Sequence, residues 1–182
     1  MNAFGTVTDP DTVRIERLLP GPPERIWAYL TESEKRSRWL AAGAMELVPG
    51  GHVEHVFRNS ELTRNDVPAP AKYAREAGEV TMHGRVVECR PQRLLSYVWG
   101  DSPDASQVTF ELTPQGEKVL LTVTHRRIPN RDTMLSIAAG WHTHLDILAD
   151  RLAGREPAGF WVTHTRLEAE YGRRIAEARS AG

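Results

Sequence analysis

The sequence predicts an α+β fold in which a curved antiparallel sheet is closed by one long amphipathic helix. Two observations carry that prediction. From Glu79 to Arg127 the chain reads as short strand-like runs separated by turn residues, the pattern of a meander. The period then changes. Met134, Ile137, Ala138, Trp141, Leu145, Leu148 and Leu152 fall at three- and four-residue steps, which marks one apolar stripe on a helix of about six turns between Asp132 and Leu152. A chain of 182 residues can bury enough apolar surface to fold as one domain without disulfides or metals.

Taken in order, residues 1–12 form a polar lead-in, and Val13 to Leu19 alternates as a first strand that stops at Pro20-Gly21. Pro22 and Pro23 suit the first turn of a helix, where the missing amide hydrogens would be unpaired anyway, and Glu24 suits the positive end of its dipole. That short helix turns Ile26, Trp27 and Leu30 inward, and a second one over Glu34 to Leu40 carries Trp39. Met45 to Arg58 holds Pro49-Gly50-Gly51 between two strand-like runs, a hairpin signature. Asn59 to Gly78 lacks periodicity and reads as a long surface loop, either a lid or an insertion. Strands are expected over Glu79–Arg90, Leu94–Trp99, Gln107–Thr113 and Lys118–Arg127. Asp132 or Thr133 can cap the long helix and Gly154 can end it. Gly140 in its interior costs roughly 1 kcal/mol relative to Ala, which suggests a close approach to something. A further helix over Ala158–Ala178 sets Trp161, His164, Leu167, Tyr171 and Ile175 along one side. The division is a lead-in over 1–12, a main domain over 13–154 and a helical extension over 155–182.

The charge balance of 23 basic against 24 acidic side chains gives no field that would recruit nucleic acid or an anionic membrane. No segment approaches the ~20 apolar residues that a membrane span requires. Cys89 is the single cysteine, so no intramolecular disulfide can form, and a reducing cytoplasm is the expected location.

The run Val13 to Arg17, then Pro23 to Trp27, Trp39, Pro49-Gly50-Gly51, Gly84 to Glu88, Pro91, Leu95 to Trp99, Val108 to Leu112, Leu121 to His125 and Gly140-Trp141 with Leu145, Leu148 and Leu152 resemble, in their order and spacing, the homologues of the activator of the heat-shock protein 90 ATPase. The likeness runs from about Val13 to Gly154. It implies the START-like (SRPBCC) helix-grip fold, in which an antiparallel sheet wraps a long C-terminal helix and encloses a hydrophobic cavity. Members bind lipids, hormones or polyketides, act as cyclases, or assist chaperones. The namesake co-chaperone has a separate N-terminal domain, for which the dozen residues ahead of the first strand leave no room, and this puts a chaperone contact in doubt.

If the concave strand faces meet the helix stripe, Val53, His55 and Phe57 share one inward face, as do Leu95, Tyr97 and Trp99, and Leu121, Val123 and His125. The expected ligand-binding set is Phe57, Tyr97, Trp99, Phe110, Val123, His125, Met134, Trp141 and Leu145, with Trp27 and Trp39 adding to an aromatic lining or to a solid core. His125 reads either as an acid, base or ligand anchor near Trp141, or as a core histidine bonded to a backbone carbonyl or to Tyr97. His55 carries the same pair of readings. Glu88 alternates with Val86, so it points inward if Val86 does, as a polar anchor or in a structural salt bridge. His142 and His144 lie about 200° apart on a helix and cannot share an ion. His52 and His55 fall on opposite strand faces, and His164 with Glu168 reads as a surface pair. Metal and cofactor are expected to be absent, and no nucleophile elbow or phosphate loop occurs. Cys89 reads as a small hydrophobe or a reactive thiol.

Three functions follow: a binding protein for a lipid-like or aromatic molecule, a cyclase- or dehydratase-type enzyme using His125, His55 or Glu88, and a stress-related or chaperone-associated interaction protein. The last includes a homodimer built through the Trp161 helix.

Overall fold

The computed structural model describes residues 4–180. One antiparallel sheet contains β1 (Thr6–Asp9), β2 (Thr12–Pro20), β3 (His52–Phe57), β4 (Val80–Arg90), β5 (Leu94–Trp99), β6 (Ser106–Gln115) and β7 (Lys118–Arg126), in the spatial order β1-β2-β7-β6-β5-β4-β3. The five later strands follow one another as a meander, and β2 lies beside β7, with Ile15 opposite Val123 and Leu19 opposite Val119. Helices α1 (Pro23–Thr31) and α2 (Ser33–Arg36) follow β2, whereas α3 (Arg131–Leu152) and α4 (Phe160–Ser180) end the chain. The core lies between the concave sheet face and α3, where Leu95, Phe110, Leu121, Val123, Leu145 and Leu148 are buried. This is the α+β helix-grip architecture. No helix among the described residues is long and apolar enough to cross a membrane.

Several elements depart from the reading of the sequence. The lead-in contains β1, which pairs with β2 and is held by the Gly5 amide donating to the Tyr171 hydroxyl at 2.7 Å. α2 stops at Arg36 because that side chain folds under the end of α1, donating to the Thr31 carbonyl at 2.9 Å and to the Gly43 carbonyl. Trp39 then follows in a turn, its indole N–H donating to the Tyr29 carbonyl at 2.8 Å. The first arm of the 45–58 hairpin is reduced to two bridges, Ala42 with Val56 and Met45 with Val53. Gly43 is the reason it lies so close: at φ +116° a Cβ there would collide with the Glu54 carbonyl oxygen. The cap of α3 is Asn130, whose Oδ1 accepts from the Thr133 amide at 2.9 Å, in place of Asp132 or Thr133. Gly154, at φ +69°, does end that helix.

The stretch from Asn59 to Gly78 contains two single 3₁₀ turns and is strapped down onto α4. The Asp66 carboxylate accepts from the Trp161 amide at 2.8 Å, Thr63 Oγ1 accepts from the Phe160 amide at 2.9 Å, and Ser60 Oγ accepts from the Trp161 indole at 2.9 Å. The first amides of α4, which have no partner inside their own helix, are therefore satisfied by a segment without regular structure.

Candidate functional site

Sheet, α3, α4 and the 59–78 strap line a pocket of about 320 Å³ that is partly open to solvent. The sheet contributes Phe57, Val80, Met82, Trp99 and His125. From α3 come Ser136, Ile137, Gly140, Trp141 and His144, whose three- and four-residue steps keep them on one helix face. Phe160, Trp161 and His164 of α4 form the third side, and Asn59, Tyr73 and Glu76 of the strap close the fourth. Gly140 departs from expectation: a Cβ placed there meets nothing within 4 Å, so the glycine widens the cavity and makes no close contact.

The walls are aromatic and interlocked. Trp141 meets Trp99 edge to face at 5.4 Å between centroids and meets Phe110 likewise at 5.4 Å, within the range in which ring quadrupoles attract. His125 fixes the indole of Trp141. Its Nδ1 accepts from Trp141 Nε1 at 2.9 Å, so the proton resides on Nε2, which donates to Ser106 Oγ at 2.7 Å. Burial pushes the pKa of His125 down to about 3. With both ring nitrogens engaged, His125 serves in this arrangement to orient Trp141.

His55 and Tyr97 lie deeper, outside the cavity surface, joined by a 2.9 Å bond between His55 Nε2 and the phenol oxygen. Burial, with Arg36 and His144 adding to it, holds the His55 pKa down at about 3, and burial raises that of Tyr97. Arg36 is itself fully buried, which lowers its pKa. His144 reaches the cavity in a defined form. Its Nδ1 donates to the Trp39 carbonyl at 2.7 Å, which leaves the lone pair on Nε2. Burial brings its pKa to about 4, only partly offset by that bond. His164 is buried, with its pKa lowered by burial against the opposing pull of Glu168 and the Ser136 carbonyl.

Of the expected lining, Phe57, Trp99, His125 and Trp141 reach the cavity, whereas Tyr97, Phe110, Val123, Met134 and Leu145 pack behind it as solid core. Glu88 is turned away from the interior. A bulge leaves Val87 as an extra residue between the pairs Val86–Tyr97 and Glu88–Ser96, so the alternation reverses and Glu88 faces outward, 2.6 Å from Arg90. Cys89 consequently faces the core, half-buried, its pKa raised by burial. His142 and His144 point to opposite sides of α3, His142 Nδ1 lying 3.0 Å from the Tyr171 hydroxyl under α4. The expected surface pair of His164 and Glu168 is divided: His164 is buried against Tyr73, and Glu168 accepts from Lys72 and Tyr73, each at 2.6 Å. Trp161 is also buried, stacked at 5.7 Å on Tyr73, so the helix face expected to dimerise is occupied within the chain. Among the described residues, no three metal-ligating side chains gather in the cavity.

The sequence reading missed Leu40, Tyr73, Val80, Met82, His144, Phe160, Trp161 and His164 as lining residues. Trp161 and His164 were visible on the stripe of the last helix, and the clue was that so charged a helix kept an aromatic side. Tyr73 carried no periodic signal.

The family model described as Activator of Hsp90 ATPase homolog 1-like protein matches residues 20–153. A Bordetella parapertussis protein solved by NMR in solution is 41% identical, with a TM-score of 0.79, covering 95% of this chain and 91% of its own. CalU16 from Micromonospora echinospora is 18% identical with a TM-score of 0.63, covering 91% of this chain and 86% of its own. A conserved protein of unknown function from Enterococcus faecalis is 17% identical with a TM-score of 0.69, covering 95% and 90% respectively. These last two likenesses concern the fold alone. No functionally curated protein matches the sequence. The helix-grip fold and the match over residues 20–153 converge: this chain belongs to the Activator of Hsp90 ATPase homolog 1-like family.

Proposed function

We propose that the chain binds a compact, largely aromatic molecule bearing a neutral hydrogen-bond donor such as a phenol. The observation that carries this reading is an aromatic-walled pocket of about 320 Å³ lined by an imidazole, that of His144, fixed as a hydrogen-bond acceptor. His144 keeps its lone pair on Nε2 because Nδ1 donates to Trp39. Asn59 and His164 also line the pocket, but Asn59 Oδ1 and His164 Nδ1 are buried in its walls, which leaves His144 Nε2 as the acceptor a ligand can meet. Unpaired buried acceptors are costly, so a ligand that supplies a donor gains more than one that supplies only apolar surface. Glu76 on the strap and the absence of a cationic side chain among the lining residues disfavour a carboxylate. The volume is at the low end for ligand pockets, ~300–1,000 Å³, which favours fused rings over a long acyl chain.

The test compares matched probes by thermal shift and native mass spectrometry. 2-Naphthol is expected to raise the melting temperature and form a 1:1 adduct, and 2-naphthoate to do neither. The reading fails if no phenol binds, or if the carboxylate binds as well as the phenol.

A further inference from the structure

On the convex face of the sheet, β3 and β4 bring together two imidazoles and a carboxylate. Glu54 and His83 are directly opposite in the antiparallel register, and His52 is two residues before Glu54 on the same strand face. One ligand-type atom from each of His52, Glu54 and His83 lies within 4.8 Å of the others. The two imidazole rings are 5.2 Å apart between centroids, tilted by 32°. His83 Nδ1 is buried and has no hydrogen-bond partner, an unsatisfied atom that calls for an explanation in a folded chain.

We propose that His52, Glu54 and His83 form a binding site for a borderline divalent transition ion of the zinc or copper type. Two imidazole nitrogens and one carboxylate oxygen suit such ions and match poorly the all-oxygen shells of calcium and magnesium. An ion bound through Nδ1 would give His83 its missing partner. At bond lengths of about 2.0–2.2 Å, ligand atoms of one ion sit roughly 3–3.5 Å apart, so the three side chains must draw in slightly. His52 is exposed and Glu54 half-buried, which leaves them room to do so. The strands beneath are fixed, since β3 is bonded to β4 on one edge and to the Ala42–Glu46 segment on the other. The neighbouring charges are divided. Arg85, opposite His52, donates to the Gly50 carbonyl at 3.2 Å, and the Glu46 carboxylate accepts from the His52 amide at 2.8 Å. Because the donors stand on the back of the strands whose front supplies Phe57, Val80 and Met82 to the cavity, this site is independent of the ligand reading. Its signal was invisible to local spacing, since His83 comes from a different strand.

Isothermal titration of the untagged, chelator-treated chain with zinc chloride tests the site. One zinc per chain is expected, with binding lost in both His83→Gln and Glu54→Gln. Copper(II) bound in place of zinc should show coupling to two nitrogens in its electron paramagnetic resonance spectrum, falling to one in His52→Gln. Circular dichroism of each ion-free variant should match the parent, which separates loss of the site from loss of the fold. A parent chain that takes up no zinc, or zinc binding that survives in His52→Gln and His83→Gln alike, would overturn the proposal.

Discussion

Gly140 sits in the interior of α3, where glycine is roughly 0.5–1 kcal/mol worse than alanine, yet nothing around it needs the missing Cβ. Gly140→Ala is therefore expected to raise the melting temperature by a few degrees, while Gly140→Leu fills the cavity and removes 2-naphthol binding. Calorimetry and the thermal-shift assay read the two effects, and a Gly140→Ala chain less stable than the parent would refute the open-space account. At this scale the sequence was legible wherever a simple period held. Phe57, Trp99 and His125 followed from strand alternation, and Trp141 from the helical stripe. The reading of Glu88 failed because one extra residue at Val87 reverses the faces, and no residue type in that run announces a bulge. For His144 the sequence showed only that it lies about 200° around the helix from His142, because its orientation depends on Trp39, which is distant in sequence.

At the scale of elements, the strap over residues 59–78 and α4 depend on each other. Asp66 accepts from the amides of Trp161 and Val162, and its loss leaves helix-terminal donors unpaired. Asp66→Ala should cost about 1–2 kcal/mol, by analogy with other helix caps, and lower the melting temperature by roughly 2–8 °C. Limited proteolysis should then cut within the strap before anywhere in the sheet. An unchanged melting temperature and cleavage pattern would show that Asp66 does not hold the two together. The helices and the meander were legible because each repeats its own period. The strap was not, because its order comes from side chains that bond backbone amides about a hundred positions away in sequence, and such pairings leave no local pattern.

For the molecule as a whole, the buried histidines set its response to acid. His55, His125 and His142 have folded-state values near 3 and His144 near 4, against about 6.5 in an unfolded chain. For each, the unfolded chain takes up the proton first as pH falls, so the stabilising contribution is complete above about 6.5 and is lost on the way down to the folded values. Each such site removes about 1.4 kcal/mol per pH unit across that window. Acid unfolding followed by tryptophan fluorescence is expected to be cooperative, to take up more than one proton, and to have its midpoint between about pH 4 and 6. A midpoint below that window would mean that these imidazoles accept protons without leaving their places.

The position of β2 also imposes a schedule. Its partner β7 is the last strand made, with Leu19 paired to Val119. At about 5–20 residues per second, a ribosome takes on the order of 5–20 s to deliver that partner. For all that time the edge of β2 away from β1 has no strand beside it. Closing so long a loop is entropically slow even in the finished chain. The polar and charged residues Arg14, Glu16 and Arg17 between its apolar positions are thus placed where they keep a waiting strand from pairing with another chain's edge.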